Sequence, residues 1–145
     1  MKSIARSHMN GLQTVETSRT HFEQTLRAMN QKGRFQSAVL ATMDGLPIAT
    51  VPSSFDAEAT TAMVSLVRAL INRVYHQLHL AKVDEVSLIG GDGKRLVCRY
   101  FTHDGEDFLL AVVAPPDQSY RRVTTQAIRA IKVGLSGQGP GSGQA

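Results

Sequence analysis

The sequence predicts an α+β domain in which one antiparallel sheet separates a long central helix from two terminal helices. Three observations carry this prediction. Residues 56–80 contain neither Pro nor Gly and repeat their apolar residues with helical spacing. Asp-Gly turns separate short apolar runs on both sides of this stretch. Because short hairpins are only marginally stable alone, the runs are expected to share one sheet. The amphipathic segments at the two ends of the chain are expected to cover the second face of this sheet.

The composition is that of one globular domain. The chain has 145 residues, of which 42% are hydrophobic and 19% charged. No apolar run approaches the ~20 residues of a membrane-spanning helix, and the first residues lack the apolar stretch of a signal peptide. The single cysteine, Cys98, excludes an intramolecular disulfide framework and a cysteine-based metal cluster. We therefore expect a cytoplasmic protein without direct membrane insertion.

The net charge of +4 is spread along the chain rather than concentrated in one element. Basic residues cluster only mildly, at Lys2 and Arg6 and again over residues 121–132. A nucleic-acid binder would concentrate them and interleave aromatic side chains, whereas this chain has no Trp and only 6% aromatic residues. We interpret the charge as solvated helix faces and expect no nucleic-acid partner.

The chain is expected to begin with a flexible segment and an amphipathic helix. Residues 1–15 show no period, so the domain itself is expected to span 16–133. Phe22, Leu26 and Met29 have helical spacing and predict a first helix from about residue 16 to about residue 30. Gly33 is expected to end it as the C′ residue.

A β-hairpin is predicted to follow the first helix. The run 35–42 is apolar at nearly every position, which is typical of a central strand with both faces covered. An Asp-Gly turn at 44–45 then leads to a second short strand at 47–51. This second strand is expected at a sheet edge, because Pro47 cannot donate a hydrogen bond to a neighbouring strand.

The long helix over 56–80, with Asp56 as its cap, has more apolar surface than an ordinary surface helix needs. On a wheel of ~100° per residue, one apolar stripe runs along it; its members are Met63, Val67, Leu70, Val74 and Leu78. The stripe is widened on one side by Ala62, Leu66 and Ala69, and on the other by Val64, Ile71 and Tyr75. We expect two buried surfaces, a sheet on one and another helix on the other. The alternative is a helix buried deeply within its own domain.

Three strands and a last helix complete the domain. The runs 84–90, 95–102 and 108–114 are linked by tight Gly-containing turns and predict an antiparallel meander. After Pro115 and Pro116, a helix is predicted through Val133, whose expected inward residues are Tyr120, Val123, Ala127 and Ile131. The Gly/Ser-rich residues 134–145 are expected to form a flexible tail.

No pattern for catalysis or cofactor binding is found. The Gly-rich segment 90–95 lacks the spacing of a phosphate-binding loop and precedes a strand rather than a helix. His76 and His79 could share a metal with His103, but two histidines on a polar helix face are more often solvated. Cys98 lies in mid-strand, away from any helix N-terminus that would lower its pKa. We expect no enzyme activity, catalytic residue, cofactor or metal.

The order of these elements resembles the roadblock/LC7 family. The resemblance rests on DGLPIAT at 44–50, AMVSLVRAL at 62–70, EVSLIGGDGKRLVCRYF at 85–101 and FLLAVVA at 108–114. It implies a profilin-like three-layer α/β/α sandwich with a five-stranded antiparallel sheet of order 2-1-5-4-3. It also implies a homodimer, in which two copies pair their long helices and join their third strands into one continuous sheet.

The resemblance implies particular interface residues and a class of partner. The dimer interface would comprise Ala62, Leu66, Ala69, Arg73, Val86, Leu88 and Ile89. The family includes regulators and scaffolds of Ras-like small GTPases, such as bacterial gliding-polarity regulators, and dynein light chains. Candidate GTPase contacts are Arg68, Asn72, His76 and His79, which could equally be solvated. The expected function is non-enzymatic modulation of a GTPase. The alternatives are a structural or sensory dimerisation module and a small-molecule sensor with a concave apolar pocket.

Overall fold

A computed structural model of the chain describes residues 2–53 and 57–137, and the side chains of residues 18–53 and 58–137. Three helices and five strands make up this part of the chain. In order they are α1 (Lys2–Gly33), β1 (Ser37–Thr42), β2 (Pro47–Val51), α2 (Ala57–Leu78), β3 (Glu85–Ile89), β4 (Arg95–His103), β5 (Glu106–Ala114) and α3 (Arg121–Ser136). No helix among the described residues is both long and apolar enough to cross a membrane.

The strands form one antiparallel sheet of order β2-β1-β5-β4-β3. The strand β1 lies between β2 and β5, as its continuous apolar sequence predicts. Gly45 has φ +93° in the β1–β2 turn, a conformation that glycine adopts without steric cost. The strands β2 and β3 form the two edges of the sheet. The predicted strand order is confirmed.

Two hydrophobic cores lie on opposite faces of the sheet. On one face, Phe22 and Leu26 of α1 and Ile131 of α3 pack against the sheet residues Leu40 and Leu110. The other core contains Val64 and Val67 of α2 with Val39, Ala41, Met43, Cys98, Leu109 and Ala111. The sheet therefore separates α2 from the two terminal helices, and the predicted three-layer α+β sandwich is confirmed.

The side of α2 that covers the sheet differs from the predicted stripe. Val64 is 1% exposed and Ile71 packs against the core, whereas Leu70 is 42% and Leu78 72% exposed. The buried side is thus rotated by roughly 50° from the predicted one, at ~100° per residue. Polar contacts on one side of the helix accompany this rotation: Thr61 and Arg68 donate to main-chain oxygens of the β1–β2 turn.

The ends of the helices also differ from the prediction. The helix α1 includes the predicted segment and extends from Lys2 to Gly33. The residue with the left-handed C-terminal conformation is Arg34 (φ 57°), not Gly33. A Cβ atom at Gly33 would overlap the Phe35 ring, so Gly33 is needed for packing. At the other end, α3 continues to Ser136, three residues beyond the predicted Val133.

Some predictions fall on parts of the chain outside the described residues. The capping role of Asp56, residues 138–145 of the expected tail and the side chains of residues 1–15 belong to this group. The domain limits 16–133 therefore stay a prediction.

Candidate interaction surfaces

The ionisable side chains form no recognisable catalytic or metal centre in the described part of the chain. No three His, Cys, Asp or Glu side chains there lie close enough together to hold a metal ion. Cys98 is buried, and burial raises the pKa of its thiol to about 11. At neutral pH the thiol is therefore protonated and a poor nucleophile.

Ser136, His103 and Asp104 have the composition of a catalytic triad but not its geometry. His103 Nε2 lies 3.1 Å from Ser136 Oγ and 3.4 Å from Asp104 Oδ2. In a triad the acid bonds to one ring nitrogen and the nucleophile to the other. Here one nitrogen faces both groups, so the arrangement is a surface hydrogen-bond cluster.

The outer flank of α2 is apolar and exposed. Leu66 is 64% exposed and Leu70 42%, although both are large hydrophobic residues. Ala62, Ala69 and Arg73 are exposed beside them. Such a strip of solvent-exposed leucine on a helix is typical of an interaction surface rather than of an isolated domain.

The leucine flank faces away from the β1–β2 turn. On the other side of α2, Thr61 Oγ1 donates to Gly45 O (3.1 Å) and Arg68 Nη1 donates to Met43 O (3.2 Å). At ~100° per residue, Leu66 and Leu70 lie roughly 140–200° around the helix from these two residues. They therefore face the opposite end of the sheet, where β1 and β4 begin.

A row of partly covered side chains crosses this end of the sheet on the α2 face. The register pairs Ser37 with Val113, Val113 with Leu96, and Leu96 with Leu88. Leu96 packs at the margin of the α2 core, and Leu88 is 55% exposed. The exposed flank of α2 and the apolar residues of this row, Val113, Leu96 and Leu88, lie towards the same end of the sheet, and we call them together the apolar surface.

The strand β3 has no strand on its outer side within the described residues. Its exposed apolar residues are Leu88 on the α2 face and Ile89, 73% exposed, on the other face. Glu85, at the start of β3, accepts hydrogen bonds from Tyr120 (2.5 Å) and Arg121 (3.0 Å). These bonds anchor the edge strand to α3, which leaves a fixed apolar edge available for pairing.

The predicted interface residues lie on α2 and on the edge strand, where Ile89 is on the face opposite Leu88, and Ala69 also lines a groove on the other side of α2. Ala62, Leu66, Ala69 and Arg73 lie on the exposed flank of α2, Val86 is partly buried against α2, and Leu88 and Ile89 lie on the edge strand. Sequence reasoning missed Leu70, because it assigned this residue to the buried stripe. Only the true rotation of α2 could have shown that Leu70 is exposed.

A groove of about 1150 Å³ lies on the other side of α2, between this helix and the turns β1–β2 and β4–β5. Of the predicted partner residues, Arg68 and Asn72 line it, whereas His76 and His79 do not. The remaining lining residues are Thr42, Met43, Asp44, Leu46, Ala69, Ile71, Tyr75, Leu80, Lys82, Val83, Tyr100, Gly105, Glu106 and Asp107.

The groove combines exposed apolar residues with a charged rim. Leu46, Tyr75 and Leu80 are each more than half exposed. Burial and a hydrogen bond with Asp107 raise the pKa of Tyr100. This lining is not the concave apolar pocket that the small-molecule hypothesis predicts. Sequence reasoning missed Leu46, for which the position of a large apolar residue directly after the Asp-Gly turn is the available signal.

Comparison with known proteins identifies the family. A family profile described as "Roadblock/LC7 domain" matches residues 21–114, more than half of the chain. No sequence among the curated proteins matches. The matched residues extend from α1 to the end of β5 and so include α2, the apolar surface and the groove.

Solved structures show the same fold at low sequence identity. Myxococcus xanthus MglB has a TM-score of 0.61 at 12% identity, with 81% of this chain and 86% of that chain covered. The gliding protein MglB from Thermus thermophilus has a TM-score of 0.61 at 15% identity, with 81% and 90% covered. A Roadblock/LC7 domain from Streptomyces avermitilis has a TM-score of 0.56 at 19% identity, with 77% and 92% covered. The chain is therefore a member of the Roadblock/LC7 domain family.

Proposed function

We propose that this protein is a homodimer that binds a Ras-like small GTPase and modulates its nucleotide state without contributing a catalytic residue. The observation that carries the proposal is the apolar surface, in which the exposed flank of α2 lies on the same face as Leu88 of the edge strand β3. Family membership supports the class of partner, since the resemblance to the roadblock/LC7 family implies regulation or scaffolding of such GTPases.

The apolar surface has the chemistry that a second copy of α2 would bury. Ala62 and Ala69 lack bulky side chains and allow two helix backbones to approach closely, while Leu66 and Leu70 supply the apolar area. Pairing β3 with its copy would also satisfy the main-chain groups on the outer side of the edge strand. One two-fold axis serves both contacts, because antiparallel strands within one sheet are related by an axis perpendicular to that sheet.

The GTPase is proposed to bind on the α2 side of this dimer. The paired helices would form the middle of that face, and the groove with Arg68 and Asn72 would lie beside each helix. The exposed Tyr75 and Leu46 offer apolar anchors there, and Arg68, Asp44 and Glu106 offer charge for orientation. His76 and His79 lie outside the groove and are secondary candidates.

The proposed mechanism is selection between conformations of the GTPase. A surface that binds one switch conformation more tightly than the other shifts the population toward that conformation, and no group of the regulator needs to enter the active site. The rate of GTP hydrolysis or nucleotide exchange then changes in proportion to the population of the competent state.

The test uses a Ras-like GTPase from the same source, with binding and GTP turnover both measured. The wild-type protein is expected to bind and to change the turnover rate, whereas Tyr75→Ala and Asn72→Asp are expected to weaken binding at least tenfold. Lys94→Glu, in the β3–β4 turn, serves as the charge control and should bind normally. Binding without any change in nucleotide turnover would instead support a structural dimerisation module. If the GTPase encoded beside this protein does not bind, the proposal fails for that pair.

A further inference from the structure

The basic residues that are spread along the sequence converge on one layer of the fold. Among the described side chains of α1 and α3, seven are basic and one is acidic, namely Arg19, Arg27, Lys32, Arg121, Arg122, Arg129 and Lys132 against Glu23. The other described residues carry nine acidic and seven basic side chains. The molecule is therefore polarised, with its positive charge on the face opposite α2.

Most of these basic side chains are free of carboxylate partners in the described part of the chain. Arg19 and Arg27 share Glu23 at 4.0 and 3.7 Å, and Arg121 is paired with Asp84 and Glu85. The other four, Lys32, Arg122, Arg129 and Lys132, lie within 4.0 Å of no described carboxylate. Lys132 Nζ lies 5.9 Å from the centre of the Phe101 ring in the sheet, whereas Lys32, Arg122 and Arg129 are exposed. Exposed, unneutralised charges of this kind attract anionic surfaces over about one Debye length.

The outer surface of the two helices is shallow and has little apolar anchoring. Arg122, Gln126, Arg129 and Val133 follow one another at spacings of four, three and four residues, and all four are exposed. The seam between α1 and α3 is a cavity of only about 200 Å³, whose lining includes the small residues Ala28 and Ala130 and the larger apolar residues Met29 and Val123. Val133 is the one large hydrophobic residue exposed on the described part of these helices.

We propose that the basic face of α1 and α3 adsorbs electrostatically to an anionic lipid bilayer. A protein interface usually has an apolar core that includes aromatic residues, and a single-stranded nucleic acid is usually bound by aromatic side chains that stack on its bases. The described part of both helices exposes no Phe or Tyr. Adsorption of lysine and arginine side chains to lipid headgroups requires neither an apolar cluster nor aromatic side chains. Each lysine or arginine close to an anionic membrane contributes to the binding.

The proposed dimer would give the basic face of α1 and α3 a role in the function. This role rests on the proposed function. A two-fold axis perpendicular to the sheet keeps the two α1/α3 layers on the same side. The dimer would then present two copies of the basic face to one membrane, while its α2 side remains free for the GTPase. Two linked contacts would raise the apparent affinity above that of a monomer.

The experiment is sedimentation with phosphatidylcholine vesicles prepared with and without phosphatidylserine. We expect the wild-type protein to bind only the vesicles with phosphatidylserine, and high salt to release it. The double variant Arg122→Glu/Arg129→Glu should lose at least ~20-fold in partitioning, because each basic residue near the surface contributes roughly a fivefold factor. The matched control Lys82→Glu/Lys94→Glu has the same net charge but leaves both helices unchanged, and it should bind much more tightly than the first variant.

Three results would overturn the proposal: no binding to phosphatidylserine vesicles at low salt, equal losses in the two double variants, or tighter binding to double-stranded DNA or polyglutamate than to the vesicles. Sedimentation velocity on the same samples tests dimer formation separately from membrane binding. A dimer that ignores the vesicles contradicts the membrane face alone. A monomer that binds them with reduced affinity contradicts the dimer alone.

Discussion

The hydroxyl of Tyr120 donates a 2.5 Å hydrogen bond to the carboxylate of Glu85, and this bond joins the start of α3 to the edge strand β3. Arg121 adds a 3.0 Å contact to the same carboxylate. The proposed dimer edge is thus held by a helix on the other face of the sheet. Changes at the edge strand can therefore reach the basic face through a direct contact.

Removing this hydroxyl should loosen the edge strand. Tyr120→Phe is expected to lower the free energy of unfolding by about 1–2 kcal/mol, because it deletes one hydrogen bond to a largely buried carboxylate. Amide hydrogen exchange should quicken in β3 more than in β1. Tyr75→Phe, at an exposed tyrosine, is the control and should leave stability unchanged in urea denaturation. Equal exchange rates in β3 of wild type and Tyr120→Phe would contradict the anchoring role.

The rotation of α2 can be tested by two substitutions that shorten side chains by different amounts. In a Leu66→Asp background, which is designed to prevent association, Val64→Ala should lower the free energy of unfolding by about 2 kcal/mol because Val64 is fully buried. Leu70→Ala removes more atoms but should lower the free energy of unfolding by less, since Leu70 is partly exposed. Urea denaturation measures both. The reverse order of effects would show that the originally predicted stripe is the buried one.

Cys98 should make stability depend on pH in the alkaline range. Burial raises the pKa of its thiol from 9.0 to about 11, so between these values the unfolded chain releases a proton that the folded chain retains. The unfolding free energy should then fall as pH rises from about 9 to about 11, by up to about 2–3 kcal/mol in total. The raised pKa of Tyr100 acts in the same direction.

The control for this dependence is Cys98→Ala, which keeps Tyr100 but removes the thiol. The difference in unfolding free energy between wild type and Cys98→Ala should shrink across the same pH interval. A difference that stays constant with pH would mean that the thiol ionises in the folded protein as readily as in the unfolded one.

The fold was predictable because its signals are local. The turns at Gly45, Gly93 and Gly105, each with positive φ, mark where strands reverse, and the continuous apolar run of β1 marks the middle of the sheet. The strand order itself came from the resemblance to a family, since turn signals do not show that β5 lies between β1 and β4.

The surfaces were less predictable because they depend on packing between distant segments. A helical wheel shows that α2 has too much apolar surface, but both flanks are apolar and only contacts with the sheet distinguish Ile71 from Leu70. The groove forms where α2 approaches two separate turns. Likewise, Lys32 and Arg122 are far apart in sequence, and their common face exists only in the folded chain.

The central claim is that the flank of α2 with Leu66 and Leu70 holds two copies together. Ala69→Arg should disrupt the same contact, because the larger side chain prevents close approach of the helices. Gln126→Asp adds the same charge as Leu66→Asp at an exposed position of α3, on the other side of the sheet from α2, and is the matched control.

Sedimentation velocity of the wild type, Leu66→Asp and Gln126→Asp tests this claim most directly. We expect dimers for the wild type and Gln126→Asp, and a monomer with unchanged circular dichroism for Leu66→Asp. A monomeric wild type, or a folded Leu66→Asp variant that still sediments as a dimer, would contradict the account.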